Sequence, residues 1–151
     1  MNMERMQEIL DDCLLVEKTP EYHFDIRSWI RSAVVQVRDN LFLYSSLSFE
    51  EMISPHCGTT ACVIGWHMRL HPHSLLRPSL ERQPMFISNG TCYHGFDAVS
   101  VYLEIDREQA VDLFGPSVTT VTTVTTIRAV IQKIESAMET ERQKYIDYVW
   151  A

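Results

Sequence analysis

The chain has 151 residues, 46% of them hydrophobic and 22% charged, with a formal net charge of −7. These values fit one soluble domain, residues 1–151, with enough chain for a full core, and they exclude a disordered or collagen-like polymer. They also exclude a general nucleic-acid binder, which needs many cations against phosphate, and no apolar run reaches the ~20 residues of a membrane helix.

The first residues, Met1-Asn2-Met3-Glu4-Arg5-Met6, lack the basic-then-apolar layout of a signal peptide. A cytoplasmic location is expected, and with it four cysteines that act as thiols or ligands rather than disulfides. Charge is uneven along the chain. Residues 54–96 carry Arg69, Arg77 and Arg82 against a single acid, Glu81, whereas both flanks are acidic. A locally basic middle of this kind suits one small anion.

Residues 3–17 read as an amphipathic helix. Met3, Met6, Leu10, Cys13 and Leu14 form its apolar side, and Glu4, Glu8, Asp11 and Asp12 are assigned to the polar one. Thr19-Pro20 stops it. A second helix is expected from Asp25, which can cap it, with Phe24 and Trp29 placed as a hydrophobic staple. Ser48-Phe49-Glu50-Glu51 is a capping box for a short helix closed by Pro55.

The most informative stretch follows, His56-Cys57-Gly58-Thr59-Thr60-Ala61-Cys62-Val63-Ile64-Gly65-Trp66-His67. Gly58 permits a tight turn. Thr59 or Thr60 can cap a helix from about residue 60 to 70 or 71, stopped by Pro72. Ala61 and Gly65 would then share a flat groove, and Cys62 and Trp66 another face.

Residues 72–84 hold three prolines and read as an exposed loop. Asn89-Gly90 between Met85-Phe86-Ile87-Ser88 and Thr91-Cys92-Tyr93-His94 predicts a type I′ hairpin, with Ile87 opposite Cys92 and Phe86 opposite Tyr93. Asp97 can cap a helix over 98–103. Asp106-Arg107-Glu108-Gln109 opens another that ends at Gly115-Pro116. The valine–threonine run at 117–126 favours strand by propensity. The period of Val118, Val121, Val124, Ile127, Val130, Ile131, Ile134 and Met138 is helical, and predicts a long helix from about 123 to 148. The fold expected is mainly α: about six helices with one small β-hairpin packed on them, an α+β chain dominated by helix.

In order, Phe24-Asp25 and Trp29, then Cys57-Gly58-Thr59, Cys62, Gly65 and Trp66, then Leu103, Ile105, Ala110, Leu113 and Phe114 form a pattern. It resembles that of a family of small uncharacterised proteins from bacteria and bacteriophages, built around Cys-Gly-Thr-x-x-Cys-x-x-Gly-Trp. His67 departs from it, since small residues are commoner there in relatives. The resemblance implies a shared fold and brings no established reaction, so no catalytic residue is carried over.

Three chemistries compete. The leading one is a non-enzymatic protein that binds a small anionic, nucleotide-like ligand at the turn and helix start, through Cys57, Gly58, Thr59 and Thr60, with Arg69, Arg77 and Arg82 adding charge. The phage-type context implied by the resemblance makes sequestration of a host nucleotide an analogy worth carrying. No cofactor is expected. The second is a protein–protein interaction module, with a host protein as partner, in which the motif is purely structural. The third is an enzyme using cysteine or zinc. Cys57 beside His56 is its candidate nucleophile. His67 and His71, four apart, with Cys57 and Cys92, are its candidate ligands, although Met68 stands where a His-Glu-x-x-His protease carries glutamate. The expectation is that no metal is bound, because a buried thiol and partly exposed histidines explain the same residues.

Overall fold

The computed structural model describes residues 1–26, 60–80, 82–115 and 126–150. Helix α1 is Met3–Lys18. Asn2 caps it by accepting from the Arg5 amide at 3.1 Å, and the Asn2 amide donates to the Leu103 carbonyl at 2.7 Å. Strand β1 (His23–Phe24) pairs in parallel with β2 (Thr60–Ala61), so two segments distant in sequence meet before helix α2 (Val63–Leu70) begins.

Strands β3 (Arg77–Pro78), β4 (Pro84–Ser88) and β5 (Thr91–His94) form an antiparallel sheet in that order. Its hairpin register is the one expected, with Phe86 opposite Tyr93 and Ile87 opposite Cys92. Helices α3 (Gly95–Leu103), α4 (Arg107–Phe114) and α5 (Ile127–Trp150) complete the described chain. Asp106 caps α4, accepting from the Gln109 amide at 2.7 Å, as its capping box predicts.

The core is one cluster contributed by every helix. Met6 and Ile9 of α1, Ile64 and Met68 of α2, and Val99 and Leu103 of α3 are all buried in it. Phe114 of α4 and Ile131, Ile134 and Met138 of α5 close it, the last three at helical spacing. A smaller cluster joins Val16, Ala61 and Trp66. Trp66 stacks on Tyr22 with ring centroids 4.4 Å apart, and its indole N–H donates to the His23 carbonyl at 2.9 Å. Burial is thus combined with a partner for the one polar atom of the ring.

Several expectations need correcting. Among the described residues there are five helices rather than about six, and a third strand joins the hairpin. The helices expected from Asp25 and over 49–54 lie outside the described residues. Helix α2 starts at Val63, not Thr60, because Thr60 and Ala61 are committed to pairing with β1. Ala61 and Gly65 therefore share no helical groove. Residues 72–84 are not simply an exposed loop. Leu76 is fully buried and β3 covers the edge of β4. Helix α3 begins two residues before Asp97, whose carboxylate pairs with Arg107 at 3.0 Å instead of capping.

Candidate functional site

The anion site expected at the start of α2 falls only in part within the described residues. Cys57, Gly58 and Thr59 lie outside the described residues. Thr60 is in β2. The cap of α2 is Cys62, whose sulfur accepts from the Gly65 amide at 3.5 Å. Arg69 and Arg82 are buried, and burial together with the nearby Arg82 charge pulls Arg69 down to about 10. Arg77 is exposed, and its Nε donates to the Ser74 carbonyl at 3.1 Å.

Of the three described thiols, two are buried in the core. Burial raises Cys62 to about 12 and pushes Cys13 higher still, so both are neutral, inert core groups. Cys92 is exposed on β5, beside the His94 ring at 3.5 Å, and takes no part in a cluster with His67 and His71.

What the fold does bring together is a network between α1, α2 and α3. His67 and His71 stand on one face of α2. Glu8 and Asp12, also four apart, stand on the facing side of α1. The Asp12 carboxylate is 2.7 Å from His67 Nδ1 through Oδ2 and 2.7 Å from His71 Nε2 through Oδ1. His71 Nδ1 is 3.0 Å from Glu8 Oε1. His67 Nε2 is 3.1 Å from the Tyr102 hydroxyl, which is 3.3 Å from Ser74 Oγ.

Donor logic orders this network. Burial raises the Tyr102 hydroxyl above its ordinary range, so it keeps its proton and donates to His67 Nε2. His67 must then offer its N–H from Nδ1 to Asp12. Asp12, 6% exposed, takes imidazole N–H groups on both oxygens. That is what lets a carboxylate sit at this depth, since a buried charge without partners costs several kcal/mol.

His67 is fully buried, while His71 and Glu8 are partly exposed and line an open cleft of 660 Å³. Arg5, His73, Ser74 and Tyr102 are on its other walls. Arg5 is held in place there. Its Nη1 donates to the Tyr102 carbonyl at 2.7 Å, and its guanidinium lies 4.5 Å from the centroid of the Tyr102 ring.

Sequence reading found His67 and His71 and missed Asp12, Glu8, Arg5 and Tyr102. One signal was present. Asp12 falls three residues after Ile9 and next to Cys13, on the buried side of α1, whose true apolar stripe is Met6, Ile9, Cys13 and Val16. No family model, curated protein or solved structure matches the chain, so the reading of this cleft rests on its own geometry.

Proposed function

We propose that the chain is a non-enzymatic binding protein for a small anionic, nucleotide-like ligand, seated in the cleft between α1, α2 and α3. The observation that supports this is the fixed Arg5 guanidinium on the wall of a 660 Å³ cavity. That volume is within the ~300–1,000 Å³ of small-molecule sites. His73 and Ser74 add donors at the rim, and Leu70, Pro72 and Leu75 add apolar surface for a ring.

Charge narrows the ligand. Glu4 and Glu8 line the same cleft, and Glu8 is already engaged by His71. Arg5 is the one lysine or arginine among the lining residues, so a ligand with one phosphate suits the site better than a di- or triphosphate. In a phage-type setting such a protein would sequester a mononucleotide, by analogy alone.

Calorimetry in the presence of a chelator, against linear and cyclic nucleoside monophosphates, tests the reading. At least one should bind. Arg5→Gln should weaken it roughly tenfold or more, the worth of a charged hydrogen bond of ~1.5–3 kcal/mol. No heat from any member of the panel overturns the proposal.

A second reading is a protein-interaction module. It is favoured by Tyr145, Tyr148, Val149 and Trp150, large side chains exposed together at the end of α5. A stoichiometric partner captured by the full chain and lost on Tyr148→Ser with Trp150→Ser would support it.

A further inference from the structure

We infer that Glu8, His67 and His71 form a binding site for one divalent transition-metal ion of the zinc type, with Asp12 as the carboxylate that orients both imidazoles. This goes beyond the nucleotide reading and does not depend on it.

The argument starts from tautomers. Asp12 faces Nδ1 of His67 and Nε2 of His71, each at 2.7 Å. A carboxylate only accepts, so each of those nitrogens carries hydrogen. In the neutral rings the opposite nitrogens, Nε2 of His67 and Nδ1 of His71, then present lone pairs. At His71 that lone pair meets another acceptor, Glu8 Oε1, at 3.0 Å. Two acceptors approach so closely only with a positive centre between them, which is either a proton or a metal ion.

The remaining geometry suits the ion. Ligand atoms of Glu8, His67 and His71 all lie within 4.8 Å of one another. Tetrahedral bonds of ~2.0–2.1 Å place ligand atoms about 3.3 Å apart. The His71–Glu8 pair is already at 3.0 Å, and the largest gap in the group must close by at most about 1.5 Å, on the scale of a side-chain rotation. Binding through His67 Nε2 gives up the Tyr102 hydrogen bond, and Ser74 remains as a partner for that hydroxyl.

Two imidazoles and one carboxylate select a late first-row ion over calcium or magnesium, which prefer all-oxygen ligands. Asp12 acts as the outer carboxylate that fixes ring orientation at metal–histidine sites. Three protein ligands beside an open cleft leave the fourth position to water or to a bound guest.

The test is a titration of the purified full chain with Co²⁺, read by visible absorption, and with Zn²⁺, read by calorimetry. One equivalent should bind, with the intense bands of tetrahedral cobalt. Glu8→Gln, on a partly exposed residue, should weaken binding at least tenfold while leaving the circular dichroism unchanged. Asp12→Asn should weaken it roughly 10–100-fold. Cys92→Ser, which removes the thiol beside His94, should bind as wild type. Absence of a saturable equivalent overturns the proposal. So does a cobalt spectrum that survives Glu8→Gln and His71→Ala, or one lost on Cys92→Ser, since each puts the ion elsewhere.

Discussion

Asp12 is the residue on which the site depends, and it was the hardest to read. A pattern search assigns every carboxylate on an amphipathic helix to solvent. Asp12 instead lies on the buried side of α1, because two imidazoles reach it from α2, and no local signal reports a contact across 55 residues. The cysteines were easier, since a small apolar residue within an apolar stripe is expected to be buried. Their chemistry follows from that burial. Cys62 is raised to about 12 and Cys13 is shifted the same way, chiefly because the thiolate would lose its hydration. A pKa raised on folding gives stability that is whole below the free-thiol value of ~8.5 and is lost as pH climbs toward the folded value. At pH 7.5 iodoacetamide should therefore label Cys92 on the native chain and reach Cys13 and Cys62 only after unfolding, as read by mass spectrometry. Between pH 8.5 and 11 the stability of Cys13→Ala, measured by urea, should fall less steeply than that of wild type. Labelling of Cys62 on the folded chain at neutral pH would contradict the burial argument.

Among the elements, those set by local chemistry were legible. The α4 capping box and the Asn89-Gly90 turn are both where the sequence puts them, and the turn holds φ of 50° and 79°. Elements set by distant partners were not. The start of α2 moved three residues because β1 recruits Thr60 and Ala61, and the proline-rich run buries Leu76 while the adjacent Leu75 is exposed. Two glycines separate backbone cost from packing cost. A methyl added at Gly90 meets nothing within 4 Å, so Gly90→Ala is charged only with the left-handed backbone, about 1–2 kcal/mol. At Gly115 the same methyl would lie 2.8 Å from the Phe96 ring and 2.9 Å from the Val111 carbonyl. Gly115→Ala should therefore act through overpacking, about 1–3 kcal/mol, by displacing Phe96. Urea unfolding gives both losses. The two are told apart by Phe96→Leu, which should relieve only the ring's share of the Gly115→Ala cost, the Val111 carbonyl contact remaining, and should leave the cost of Gly90→Ala unchanged.

At the scale of the molecule, the period of three and four was legible from residue 127 onward, while the valine–threonine run at 117–125 lies outside the described residues. The period placed Val130, Ile131, Ile134 and Met138 on one buried face of α5, and all four are there. What it did not show is where that face stops mattering. Met138 is the last buried residue of the helix, and every side chain from Arg142 to Trp150 is exposed. The helix is 24 residues long, roughly 36 Å at ~1.5 Å per residue, and its exposed end is about two and a half turns of that. The Met1 ammonium reaches Glu141 at 3.5 Å, next to the start of that exposed stretch. Stability should follow that division. Met138→Ala should cost about 2–5 kcal/mol, the range for emptying a buried methionine site, seen as a lower urea midpoint at unchanged slope. Removing residues 147–151 should shift the midpoint by less than about 0.5 kcal/mol, as expected for exposed positions. Any role for Tyr148 and Trp150 would then be in binding, and a large loss of stability on that truncation would place them in the fold instead.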